Sequence, residues 1–166
     1  MHPKLSEVLV CPQCRGPLEC RSMRVASDGD ILAGELRCDG CGTAYPVERG
    51  IPRFVPSDDY ASSFGYQWNR FRQEQIDSLN GTRQSEDRLF SETAWEPDWW
   101  NNKWILDAGC GAGRFLDVAS RSEDCEIIGV DISGAVDAAR ETLSERSNVH
   151  LVQASILQLP FRPGTF

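Results

Sequence analysis

Three apolar runs in the last third of the chain, at 104–107, 126–131 and 149–154, have the length and composition of buried strands. Amphipathic stretches separate them. Residues 114–122 predict a helix with Phe115, Val118 and Ala119 on one face. Ser133 suits the N-cap of a second helix through about Glu145, with Val136, Ala139 and Leu143 on one side. Strand, helix, strand, helix and strand joined by short connections imply right-handed parallel crossovers, hence an α/β, doubly wound sheet. The first 56 residues show only short strand-like runs at 31–32 and 44–47. They close on Gly50-Ile51-Pro52-Arg53-Phe54-Val55-Pro56, where two prolines predict an extended exit. Residues 57–103 are polar and acidic but rich in aromatics. The pattern divides the chain into a small β module (1–56), a helical, aromatic-rich linker or cap (57–103) and the first half of a Rossmann-like sheet (104–166).

Composition adds a class and a compartment. Hydrophobic residues make up 40% and charged residues 25%, as in globular proteins. No apolar run approaches the ~20 residues that span a bilayer, and residues 1–7 lack a signal-peptide core, so the expectation is a cytoplasmic chain without a membrane partner. The net charge of −8 is uneven: residues 1–56 are balanced, while 57–103 and 104–166 carry −4 each. With no basic stripe, charge gives no indication of a nucleic-acid partner.

Between the first strand and first helix lies Asp107-Ala108-Gly109-Cys110-Gly111-Ala112-Gly113. Alternate glycines permit a tight turn and close approach of backbone to a ligand. Asp131, ending the second strand, stands at the distance from the loop that suits a carboxylate on ribose hydroxyls. The spacing is G-x-G-x-G rather than the dinucleotide G-x-G-x-x-G, and Asp107 directly precedes it. A pyrophosphate fits poorly beside that carboxylate, whereas a ligand carrying an ammonium suits it. No G-x-x-x-x-G-K-[ST] occurs, which excludes a P-loop.

These residues resemble motif I of the class I S-adenosylmethionine-dependent methyltransferases, and Gly129-Val130-Asp131-Ile132-Ser133 resembles the segment after their second strand. The resemblance implies that Ala108, Gly109, Cys110, Gly111 and Gly113 line the methionine moiety and that Asp107 helps hold its amino group. Asp131 would take the ribose hydroxyls, and Ile132 the adenine face. Residues 153–161 resemble the third motif, with Ser155 where an Asp is usual and Ile156 offering its amide to the ring. Cys110, with Arg114 as its one basic neighbour, reads as packing rather than as a nucleophile.

Cys11-Pro12-Gln13-Cys14 and Cys38-Asp39-Gly40-Cys41 are two C-x-x-C knuckles. In a reducing compartment such pairs point to a metal: Cys11, Cys14, Cys38 and Cys41 would form a closed four-sulfur site, with zinc the leading ion and rubredoxin-like iron using similar knuckles. Gly16 and Gly42 suit the turns. Cys20 and Cys125 are off-spacing bystanders. The module resembles the small zinc-ribbon proteins that activate tRNA and protein methyltransferases.

In this fold the aromatics Phe64, Tyr66, Trp68 and Phe71 would pack on the sheet or form a lid, and Trp99, Trp100 and Trp104 would pack where the chain enters the first strand. The resemblance further implies seven strands, of which the last four would follow Phe166. The first strand then becomes an edge, and residues 104–166 alone are expected to be marginally stable or to associate. The expectation is an S-adenosylmethionine-dependent methyltransferase whose acceptor and catalytic residues are unknown. An RNA methyltransferase of the ribosomal type and a non-catalytic, partner-binding zinc-ribbon scaffold are the alternatives.

Overall fold

The computed structural model describes residues 1–55, 74–96 and 98–166. Helix α1 (Pro3–Val8) leads into a four-stranded antiparallel sheet of β1 (Leu18–Val25), β2 (Ile31–Cys38), β3 (Ala44–Glu48) and β4 (Ile51–Pro52), paired in chain order. Two short helices follow, α2 (Asp77–Asn80) and α3 (Gln84–Thr93). Arg83 at the N-cap of α3 has no capping side chain of its own. Instead the buried Asp77 carboxylate accepts from the amides of Ser85 and Glu86. Burial opposes its ionisation, but those amide donors hold it below the ordinary carboxylate range.

The last third carries β5 (Trp104–Ala108), α4 (Arg114–Ala119), β6 (Glu126–Asp131), α5 (Ala135–Thr142) and β7 (Val149–Gln153), then a 3₁₀ turn, Ile156–Gln158. The strands are parallel in the order β5-β6-β7, as the strand-helix alternation predicts. Both faces are apolar, because successive side chains point to opposite sides. Ile105, Ile127, Val149 and Leu151 pack with Leu116, Val136, Ala139 and Leu143 from the helices. Leu106, Ile128, Val130 and Val152 face Leu5, Leu9, Leu36, Tyr45 and Val47 from the ribbon. Each fully buried aliphatic side chain contributes roughly 1.5–3 kcal/mol. The ribbon is thus the second layer over the sheet.

Several local expectations are corrected. Helix α4 ends at Ala119 rather than 122, because Arg121 and Ser122 turn back with amide bonds three residues long to Val118 and Ala119. Its innermost residue is Leu116, and Phe115 is only half-buried. Helix α5 is capped at Gly134 and stops at Thr142. Ser133 still accepts from the Ala135 amide, but its hydroxyl is turned to Asp131. The tryptophans divide: Trp100 is buried with Phe90 on the helix side, Trp104 packs on the ribbon side, and Trp99 lies half-exposed against Trp95. Phe64, Tyr66, Trp68 and Phe71, expected to pack or to form a lid, lie outside the described residues.

The two sheets meet at the edge of β7. Val47 belongs to the ribbon-side core and Ile51 to the helix-side core, so the chain wraps round that edge. Arg53 forms a parallel bridge with Gln153, and the Phe54 amide donates to the Gln153 carbonyl at 2.8 Å. A second, antiparallel bridge joins Leu9 to Phe161, and the Arg15 guanidinium donates to the carbonyls of Leu159 and Phe161.

Candidate functional site

The glycine loop emerges from β5 at the carboxyl end of the sheet, where ligands of open α/β folds bind. Gly109, Gly111 and Gly113 have φ of 88°, 53° and 92°, values that side-chain-bearing residues rarely adopt. Their reasons differ. A Cβ on Gly113 would stand 3.0 Å from Leu143 Cδ1, so this glycine lets α4 and α5 close on each other. A Cβ on Gly109 would meet nothing within 4 Å, which leaves open space over the loop. The amides of Gly109 and Cys110 both donate to the Val130 carbonyl, at 2.7 and 3.0 Å, tying the loop to β6.

Asp131 ends β6 and organises the turn around it. Its Oδ2 accepts from the Gly111 amide at 2.9 Å, and its Oδ1 accepts from the Ser133 amide and hydroxyl at 2.8 and 2.7 Å. Asp107 differs sharply. Its Oδ2 is buried without a hydrogen-bond partner among the described residues. Burial, reinforced by the charge of Asp131, raises its carboxyl to about 6.

Cys110 is buried, and its Sγ would lie 3.0 Å from a Cβ placed on Gly129. Burial first, then the charges of Asp107 and Asp131, push its thiol well above the ordinary range. It fills the gap between loop and sheet, and a raised, buried thiol disfavours the thiolate that nucleophilic chemistry requires. Ser155 accepts from the Leu157 amide as the cap of the 3₁₀ turn. Ile132 and Ile156 are large apolar residues left 40% and 55% exposed, and Leu157 is 89% exposed, a residue that the sequence pattern did not single out. The Ala154 amide bonds the Asp131 carbonyl at 3.0 Å, so the turns carrying Ile132 and Ile156 are neighbours.

The second site is in the ribbon. Cys11, Cys14, Cys38 and Cys41 place their sulfurs within 4.8 Å of one another, with Cys14–Cys38 at 3.4 Å and Cys11–Cys41 at 3.7 Å. A tetrahedron with ~2.3 Å metal–sulfur bonds has sulfur–sulfur edges of ~3.8 Å, so the set fits one ion. Its cradle is tight: a Cβ on Gly16 would stand 3.3 Å from both Cys14 and Cys38 Sγ, and one on Gly40 3.3 Å from Cys14 Sγ. Gly42 instead supplies a turn with φ of 74°. The Tyr45 hydroxyl lies 3.3 Å from Cys11 Sγ and the Thr43 hydroxyl 3.2 Å from Cys41 Sγ, second partners that spacing alone did not reveal. Cys20 on β1 and Cys125 before β6 lie outside the cluster. No helix among the described residues is long and apolar enough to cross a membrane.

Residues 2–50 match the family model described as Trm112p-like protein, and residues 105–166 match that described as Methyltransferase domain. A UPF0434 protein of Laribacter hongkongensis is 43% identical over 58 residues, which are 35% of this chain and 83% of that protein. One of Methylobacillus flagellatus is 42% identical over 52 residues, 31% of this chain and 72% of that protein. Among solved structures, a SAM-dependent methyltransferase from Aquifex aeolicus is 20% identical, with a TM-score of 0.42, covering 61% of this chain and 51% of that one. Phosphoethanolamine N-methyltransferase 1 of Haemonchus contortus, in complex with phosphoethanolamine and S-adenosylhomocysteine, is 18% identical, with a TM-score of 0.41, covering 58% of this chain and 22% of that one. This chain spans about half of the first of these and less of the second.

Proposed function

We propose, for a chain that belongs through its first third to the Trm112p-like family and carries a methyltransferase domain in its last, that the glycine-loop site binds S-adenosylmethionine and the four-cysteine site holds a structural zinc ion. One observation carries the first part: the orphaned, buried Asp107 oxygen stands at the root of an open glycine loop whose far side is braced by Asp131. Asp107 would take the ammonium of the methionine moiety, replacing burial cost with an ion pair. Asp131, with lone pairs beyond those given to Gly111 and Ser133, would take ribose hydroxyls. Ile132 and Ile156 would cover the adenine, and Ser155, already capping a turn, would contribute through its place rather than its charge. S-adenosylmethionine supplies a sulfonium-bound methyl group open to in-line displacement by an acceptor. The residues of this chain contribute binding and orientation.

The zinc reading rests on the crowded four-sulfur cradle, which leaves no open position for a water or substrate; its role is to hold a ribbon too small to fold on its own core. The methyl acceptor belongs to no class that these residues specify.

Calorimetric titration with S-adenosylhomocysteine tests the proposal. Binding by the wild-type chain, with loss of at least tenfold in affinity in Asp131→Ala, is the expected result. No binding by the wild type would sink the cofactor reading and leave a partner-binding ribbon scaffold as the alternative.

A further inference from the structure

Gln153 is the last residue of β7, in register with Asp131 of β6. Its side-chain amide is used at both ends. Oε1 accepts from Arg53 Nη1 at 2.7 Å, and Nε2 donates to the Ile132 carbonyl at 3.0 Å. The orientation is chemically fixed, because a guanidinium only donates and a carbonyl only accepts. Arg53 comes from the ribbon's exit strand and is itself fastened. Its amide donates to the Pro46 carbonyl of β3, and its Nη2 donates to Asp137 in the first turn of α5 at 2.8 Å. Its side chain is only 12% exposed, which keeps water from competing for these bonds. A chain of bonded groups therefore runs from ribbon strand β3, through Arg53 and Gln153, to the carbonyl of Ile132. Ile132 follows Asp131 directly.

We infer that Gln153, anchored by Arg53, is a positioning residue for the nucleoside end of the cofactor site, so that the docked ribbon sets the turn which holds ribose and adenine. The inference rests on the cofactor reading above. Without the Gln153 amide donor, the 131–134 turn keeps its bonds to Ser133 and Gly111 and the backbone bond from Ala154 to Asp131, but loses the side-chain tie that holds the Ile132 carbonyl against the end of β7. Among the described residues the methionine end, built on Asp107 and the 109–113 loop, has no such hydrogen-bonded link to the ribbon.

Gln153→Glu separates the two ends of the relay. It keeps an acceptor for Arg53 and removes the donor to Ile132. With the full chain, affinities for S-adenosylhomocysteine and for 5′-methylthioadenosine, which lacks the amino-acid moiety, are measured alongside the melting temperature. The expected result is an unchanged melting temperature and the same loss, about fivefold, for both ligands, as one lost hydrogen bond implies. If the wild type binds both and Gln153→Glu binds them equally well, the inference is overturned and the cofactor reading stands. Weakening of S-adenosylhomocysteine alone also overturns it, because the defect then lies at the methionine end. Binding of neither ligand by the wild type overturns both readings. If Gln153→Glu does not fold, the near-isosteric Gln153→Met is judged by the same two affinities.

Discussion

Asp107 and Asp131 lie on adjacent parallel strands, and the charge of the second, added to burial, raises the carboxyl of the first to about 6. The two carboxylates also differ in company. Asp131 accepts three hydrogen bonds, while Asp107 keeps one buried oxygen without a donor. Among the described residues the fold satisfies one member of the pair and leaves an oxygen of the other unpartnered.

A pH dependence follows. The folded-state value of about 6 lies above the ordinary 3.8, so the stability that Asp107 contributes is complete below about pH 4 and is lost as pH rises through 6. A ligand ammonium favours the ionised form instead. Affinity for S-adenosylhomocysteine should therefore rise about fivefold between pH 5 and pH 6 and flatten above pH 7. Asp107→Asn should bind weakly with a flat profile over this range. Titration calorimetry at four pH values reads both outcomes.

The ribbon–sheet contact should respond to acid in the opposite sense. Burial lowers His150 below its ordinary 6.5 despite Glu126 at 2.7 Å, so the unfolded chain takes up this proton first as pH falls. Glu126 is itself held below 4.5: although burial opposes its ionisation, Lys4 and His150 outweigh it, and the stability it adds is lost as pH falls below that value. Urea unfolding should show the wild type losing stability relative to His150→Asn from about pH 6.5 downward. In His150→Asn the part of the loss that sets in as pH falls through 6.5 should be absent.

Metal removal should unfold more than the ribbon. Tyr45, Leu36 and Val47 cover Ile128, Val130 and Val152, so loss of the four-sulfur site strips one face of the parallel sheet. Cys38→Ser, or the wild type treated with a chelator, should melt well below the metal-loaded protein and bind a hydrophobic dye at room temperature. Elemental analysis should find one zinc ion per chain before treatment. A chelated protein with an unchanged melting curve would contradict the structural role.

Gly129 is a packing site. A Cβ there would stand 2.5 Å from Leu116 Cδ1 and 3.0 Å from Cys110 Sγ. Gly129→Ala should cost about 1–3 kcal/mol in denaturant unfolding. Adding Cys110→Ala should recover part of that loss, because it removes one of the three crowded neighbours, the third being Leu151 Cδ2 at 3.1 Å.

Much of this molecule is legible in short stretches of sequence. The knuckles are readable because two sulfurs on one ion demand a fixed spacing, and the glycine loop because its positive φ values demand glycine. The three parallel strands announce themselves by being apolar on both faces. β1 gives no such signal: most of Leu18–Val25 is exposed, and its pairing with β2 holds it. Ser133 reads as a cap because its neighbourhood fits one, yet its hydroxyl has a stronger acceptor in Asp131. The Arg53–Gln153 contact spans one hundred positions and joins two polar residues of ordinary appearance. Only the docking of one sheet on the other creates it.

The wrapping of the ribbon's exit round β7 gives the parallel sheet a polarity of growth. On that side the Phe54 amide already engages the Gln153 carbonyl, whereas β5 has no strand on its far side among the described residues. Among the described residues the open edge of the sheet is therefore that of Trp104–Ala108. Asp107 lies on that open-edged strand, while the ribbon's exit is fastened at the other edge of the sheet, at Gln153.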